Sequence, residues 1–286
     1  MRQMNKFSRF MFKQRNKSIV YTILAILIAI PLLFPLYWVV ISSLKGDTEI
    51  FRKIPTFFPE KVVLDPYISQ LANPDTLRAI RNSFIIAIGS TVISIILSVC
   101  CAYGLARFRF SGKKIMIMTF LVTQMLPSSL ILTPLYLIFS KVGLLNTYFA
   151  PILATATISI PFVVLVLRPI FGSLPKELEE AARIDGCNRF SAFIRVILPI
   201  SRNGTVTGLA FCFIYGWNDL MYSITFNMKE VLRPMTSTIY NYISLYGMKW
   251  NYIMAYGVIL AFPVLILFVA LQKYIVEGLV SGSVKG

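Results

Sequence analysis

Six apolar runs, each long enough to cross a bilayer, leave this chain few ways to fold. They cover roughly residues 19–43, 83–106, 115–138, 148–171, 204–226 and 254–276. About 20 apolar residues in a helix span the roughly 30 Å of hydrocarbon in a membrane. A segment in lipid must also satisfy its own backbone polar groups, which a helix does and a lone strand does not. A single soluble core has no use for so many such runs. The expected fold is all-α and polytopic, with six transmembrane helices. At 57% hydrophobic residues, the chain lies above the apolar share of about 45–50% usual for soluble domains.

The formal net charge of +16 would suit a nucleic-acid partner if the basic residues formed a patch interleaved with exposed aromatics. They flank the apolar runs instead, so nucleic acid is not an expected partner. Of the 28 Lys and Arg residues, 18 fall in segment 1–18, the loops 107–114 and 168–202, and the C-terminal end. The positive-inside bias then puts both termini in the cytoplasm. The expected organisation is a basic tail over 1–18, a first transmembrane helix over 19–43, an external loop over 44–82, a membrane core over 83–276 and a cytoplasmic tail over 277–286. The run at 19–43 is too long for the apolar part of a signal peptide and is expected to stay as a span. Prolines 31, 35, 127, 134, 161 and 263 interrupt the runs and are expected to kink their helices.

One polar stretch stands out between the fourth and fifth runs. Ser173 and Pro175 precede Glu177, Glu179 and Glu180, and Gly186 follows Ile184 and Asp185. A serine N-cap, a first-turn proline, acids near the positive end of the dipole and a glycine stop together predict a helix of about three turns. A second helix is expected after Asn188, with Phe190, Phe193, Ile194 and Ile197 on one apolar stripe, ending at Pro199. Such a helix–turn–helix on the cytoplasmic face, with Ala181 and Ala182 allowing close approach of another backbone, suits docking of a partner protein.

No catalytic site is expected. The chain has no histidine, the usual proton shuttle near neutral pH. Cys100, Cys101, Cys187 and Cys212 lack metal-ligand spacing, so no metal and no cofactor is expected. There is no phosphate-cradling glycine loop, so any ATP must be bound by another chain. A secondary transporter would want coupling acids or histidines at mid-membrane, and Asp219 is the one acid placed inside a span.

The spacing Glu180-Ala181-Ala182, Gly186, then Val196 and Leu198-Pro199 resembles the EAA loop of ABC-importer permeases, here at about 172–202. The stretches Ala102-Tyr103-Gly104-Leu105-Ala106-Arg107-Phe108, Gln124-Met125-Leu126-Pro127 and Trp217-Asn218-Asp219 extend the likeness to carbohydrate-uptake permeases of the maltose-transporter membrane-subunit type. The ending Val284-Lys285-Gly286 is also similar. The resemblance implies a subunit of a bacterial cell-membrane importer, working with a second permease subunit, two cytoplasmic ATP-binding subunits and an extracellular solute-binding protein. It also implies that Glu180, Ala181, Ala182, Asp185, Gly186 and Pro199 couple the chain to the ATPase, with Lys285 and Gly286 as a further ATPase contact. The ligand expected is a sugar or oligosaccharide, with a glycerol phosphate ester or other small solute as the alternative. Trp217, Asn218 and Asp219 combine an aromatic face with amide and carboxylate groups, which suits sugar C–H faces and hydroxyls. They are candidates for the substrate path, as are Thr123 and Gln124 before the Pro127 kink. Packing against a neighbouring helix is the competing reading of Asp219.

Overall fold

A computed structural model describes residues 2–245 and 249–281. In chain order the helices are α1 (Arg2–Ser43), α2 (Asp47–Ile50), α3 (Asp65–Ala72), α4 (Pro74–Arg107), α5 (Lys113–Met125), α6 (Ser128–Lys141), α7 (Phe149–Ser173), α8 (Glu177–Ile184), α9 (Arg189–Ala192), α10 (Leu198–Ile200), α11 (Arg202–Trp217), α12 (Met221–Phe226), α13 (Met235–Leu245) and α14 (Trp250–Ser281). A π-helical turn, Phe193–Ile197, joins α9 to α10. The protein is all-α among the described residues.

Four helices cross a membrane by length and composition: the Ile19–Ser43 part of α1, α4, α7 and the Trp250–Ile275 part of α14. Two further pairs of helices pass the same test only when each bent pair is taken together. α5 and α6 meet at 105°, and Arg189–Ile200 meets α11 at 84°. The continuous run expected at 115–138 is therefore two helices, parted at Leu126 and Pro127. Proline has no amide hydrogen to give the helix and disfavours helical backbone in the residue before it; Leu126 is extended at ψ 132°. The run expected at 204–226 also divides, because α11 stops at Trp217 and α12 begins at Met221. Helix begins inside the segment expected as an external loop over 44–82. Asn73 accepts from the Asp75 amide at 2.8 Å and starts α4 at Pro74, a polar N-cap with proline in the first turn.

The chain divides into two compact units, Met1–Ile68 with Tyr246–Val258, and Ser69–Leu245 with Ile259–Gly286. In the first, the segment after α1 folds into a small cap. The Glu49 carboxylate accepts from the Thr56 hydroxyl at 2.6 Å and from the Glu60 amide at 3.2 Å. Arg52 pairs with Glu60, and the Lys45 ammonium lies 4.9 Å from the Trp38 ring centroid while donating to the Thr56 carbonyl. Phe51, Phe57 and Phe58 remain exposed on this cap.

In the second unit α4, α7 and α11 form the core. Val99, Ala102 and Leu105 of α4 pack on Val163, Leu167 and Phe171 of α7 and on Cys212 of α11. Small side chains let these helices close in, as they do where lipid supplies no hydrophobic drive between helices. Ser94 and Ser159 share a hydrogen bond at 2.7 Å across α4 and α7. At Gly216 a β-carbon would sit 2.8 Å from the Ala87 α-carbon, so α11 and α4 touch backbone to backbone there.

Candidate functional site

The polar island is a short helix–turn–helix. Its first helix is α8, eight residues long, and not the three turns expected from residue 173. Ser173 is the last residue of α7 and donates to the Ile170 carbonyl at 2.8 Å instead of capping the next helix. Glu177, Glu179 and Glu180 occupy the first turn of α8, where negative charge meets the positive end of the dipole. Its end is a Schellman motif. Gly186, at φ 89°, donates to the Arg183 carbonyl at 3.1 Å, and Cys187 donates to Ala182 at 2.9 Å. Asn188 then caps α9 by accepting from the Ser191 amide at 2.8 Å.

Glu180, Ala181, Asp185, Gly186 and Pro199 are exposed. Ala182 is not: it is buried within the chain, so the two alanines face opposite ways and only Ala181 offers close approach to a partner. The single apolar stripe expected for the second helix is also split. Phe193 and Ile197 are buried in the core while Phe190 and Ile194 are exposed. The π-helical turn spends an extra residue per turn and rotates that stripe out of register. Ile184 is 87% exposed and stands with Phe190 on the outer surface. Glu180, Arg183, Ile184, Cys187, Asn188 and Arg189 line an open depression of about 650 Å³. Charges around an exposed apolar knob make a surface shaped for another protein. Ile184 was visible in the sequence as an apolar residue of a polar helix beside Leu178; the exposure of Phe190 was hidden by the π register.

The island is held on the end of α4. The Arg107 Nε lies 2.6 Å from Glu179 Oε1, with the side chains 6% and 21% exposed. The Arg107 guanidinium also donates to the Leu174 carbonyl at 2.9 Å, and the Tyr103 hydroxyl donates to Glu179 Oε2 at 3.0 Å.

The second set of candidates is divided by the structure. Trp217 is 1% exposed, stacks on Phe213 at 5.6 Å and meets Phe84 edge-on at 4.8 Å. Its indole N–H donates to the Leu260 carbonyl at 3.0 Å. It lines an apolar hollow of about 650 Å³ with Phe262, Pro263 and Ile266. Asn218 and Asp219 face elsewhere, into a hollow of about 320 Å³ shared with Ser128, Thr155, Tyr215 and Tyr222. Trp217 therefore does not offer its ring beside those groups.

Asp219 lies in the break between α11 and α12, outside any helix, whereas the run expected at 204–226 carried the helix through it. Its carboxylate accepts from the Tyr222 amide at 3.1 Å, the Ser223 amide at 2.9 Å and the Ser223 hydroxyl at 2.6 Å. It caps α12, so it neither reaches freely for a ligand nor pairs with a neighbouring helix. Thr123 donates to the Phe120 carbonyl at 2.8 Å within its own helix. Gln124 donates to the Ile158 carbonyl at 3.1 Å, and Ile158 lines the smaller hollow. Lys285 and Gly286 lie outside the described residues.

Residues 94–280 match the family described as the binding-protein-dependent transport system inner membrane component. The diacetylchitobiose uptake system permease protein DasC of Streptomyces coelicolor is 32% identical, over 92% of this chain and 95% of its own. The trehalose/maltose transport system permease protein MalG of Thermococcus litoralis is 32% identical, over 94% and 98%. A bacterial ABC transporter involved in the import of the acidic polysaccharide alginate has a chain of the same fold, with a TM-score of 0.77 and 22% identity over 91% of this chain and 96% of that one.

Proposed function

Because this chain belongs to the family of inner membrane components of binding-protein-dependent transport systems, we propose that it is a permease subunit importing a sugar or oligosaccharide. The family is one of transport components and not of catalysts. Relatives named for diacetylchitobiose and for trehalose and maltose support a carbohydrate cargo. The smaller hollow agrees with it: Ser128, Thr155, Tyr215 and Asn218 bring hydroxyls, an amide and a ring to one place, and its lining holds no lysine or arginine. That composition suits neutral hydroxyl groups over a phosphate ester.

The chain has no nucleotide-binding loop, so two cytoplasmic ATP-binding subunits supply the energy, a second permease completes the pore, and an extracellular solute-binding protein delivers the ligand. Both termini and the helix–turn–helix lie on the cytoplasmic side, in keeping with the basic residues that flank the spans there. The single observation carrying the coupling role is the exposed outer surface of α8: Glu180, Ala181, Arg183 and Ile184 point out of a helix whose C-terminal end is closed by the Gly186 stop. Glu180, Ala181, Asp185 and Gly186 dock this surface into the ATPase, with Ile184 and Phe190 as apolar contacts. Ala182 supports the loop from behind, and Pro199 lies at its surface.

Reconstitution of the complete transporter in proteoliposomes tests this. Glu180→Lys is expected to leave membrane insertion intact and to abolish ligand-stimulated ATP hydrolysis and uptake. Uptake at the unaltered rate in that variant overturns the docking role.

A further inference from the structure

α4 is gripped at both ends by polar side chains. At one end Asn82 donates to the carbonyls of Val231 at 2.9 Å and Arg233 at 3.0 Å, and accepts from the Tyr148 hydroxyl at 2.7 Å. Ser83 next to it accepts from the Met235 amide at 2.9 Å. At the other end Tyr103 and Arg107, one turn apart, reach the island. From Asn82 to Arg107 the helix is about 38 Å of rod at 1.5 Å per residue.

The island end is unlike ordinary packing. Three elements meet on two side chains of α4: Glu179 from α8, the Leu174 carbonyl from the α7–α8 turn, and Phe193 from the π-helical turn. The Tyr103 ring lies 4.3 Å from Phe193 and 6.0 Å from Phe171. A charge pair this buried gains little net stability over an apolar pair of the same shape, because desolvation offsets its attraction. What it adds is position: the Arg107 guanidinium sits against Glu179 while donating to the Leu174 carbonyl, and the Tyr103 hydroxyl fixes the second carboxylate oxygen. Leu178 also packs from α8 onto the core, but an apolar contact slides where hydrogen bonds to the Leu174 carbonyl and to Glu179 do not.

We propose that Arg107, Glu179 and Tyr103 form the joint through which displacement of α8 is passed to α4. They are positioning residues. Glu179 and Arg107 are too buried to reach the partner and act on transport by tying the docking helix to a membrane-spanning rod. The assignment rests on α8 being the ATPase docking helix.

The test is a double-mutant cycle in the reconstituted complex, with uptake per ATP hydrolysed as the readout. Arg107→Gln and Glu179→Gln are each expected to keep ATPase subunits bound and basal hydrolysis unchanged, while uptake per ATP falls on the order of tenfold, as for coupling across a broken charged contact. The swap Arg107→Glu with Glu179→Arg is expected to recover most of the loss. Tyr103→Phe keeps the ring and removes one donor, so it serves where the charge variants do not assemble; it is expected to lower uptake per ATP about threefold. Unchanged uptake per ATP in the assembled single variants, or in Tyr103→Phe, overturns the joint. So does a loss in the charge variants that only tracks the amount of assembled complex. Glu180→Lys run in parallel separates the two claims. If it has no effect, the docking reading and the joint both fall; if it blocks uptake while the Arg107, Glu179 and Tyr103 variants behave as the parent protein, the joint alone falls.

Discussion

The helix–turn–helix at α8–α9 and the break at Asn218–Leu220 are both polar interruptions of a chain otherwise suited to lipid, yet they treat their acids in opposite ways. In the first, Glu180 and Asp185 are exposed while backbone caps come from the glycine stop and from Asn188. In the second, the Asp219 carboxylate is buried and accepts three hydrogen bonds from residues three and four positions on. A rare acid in an apolar setting invites a functional reading by default. Here the buried acid is held by the first turn of its own helix, and the exposed ones stand at the surface. Accessibility together with local satisfaction, and not rarity, tells the two apart.

That contrast breaks first under charge reversal. Glu180→Lys is expected to reduce uptake more than a hundredfold with thermal stability unchanged to within about 0.5 kcal/mol, as for exposed substitutions; parallel loss of stability and transport would erase the distinction. Next comes Asp219→Ala, which strips the acceptor from two buried amides and a hydroxyl. A loss of about 1–3 kcal/mol is expected, read as a lower melting temperature of the detergent-solubilised protein. Asn218→Ala sharpens the comparison, since its side chain is exposed to the hollow. A two- to tenfold rise in the half-saturating ligand concentration is expected from one lost hydrogen bond to ligand, with the melting temperature held; no change would remove Asn218 from the path.

The smallest effect concerns the cap after α1. The hydrogen bond from Arg52 holds the Glu60 carboxyl below its usual range. A lowered folded-state value means stability that is present above the unfolded value and lost as pH falls through the folded one. Both groups are exposed, so only a slight gain in amide exchange over residues 49–60 is expected on acidification to below the ordinary carboxylate range, and none in Glu60→Gln.

The spans were legible because hydrocarbon demands length and apolarity together, so Phe149–Ser173 and the end of α1 at Ser43 could be read to within a residue or two. The break at Leu126 and Pro127 was half legible: proline announced a kink, but its 105° depends on what α5 and α6 pack against. Capping at Gly186 and Asn188 is local chemistry and could be read directly. The side of the chain on which Trp217 falls could not, because it sits at the last turn of α11, where one residue decides between two hollows. Nor could the Arg107–Glu179 pair, whose partners lie on different helices and share no periodicity. The π-helical turn at Phe193–Ile197 has no composition of its own; tertiary packing of Phe193 and Ile197 selects it over an α register.

The contact of Gly216 with Ala87 carries a mechanical consequence. Where two helices meet through long side chains, each can shift by a rotamer's width before the other responds. Where they meet backbone to backbone there is no such backlash. α11 ends at Trp217, and Tyr215 and Asn218 bracket that contact while lining the smaller hollow. Under the joint proposed above, travel of α4 is passed through that contact to the walls of the hollow, like a shaft keyed to its wheel.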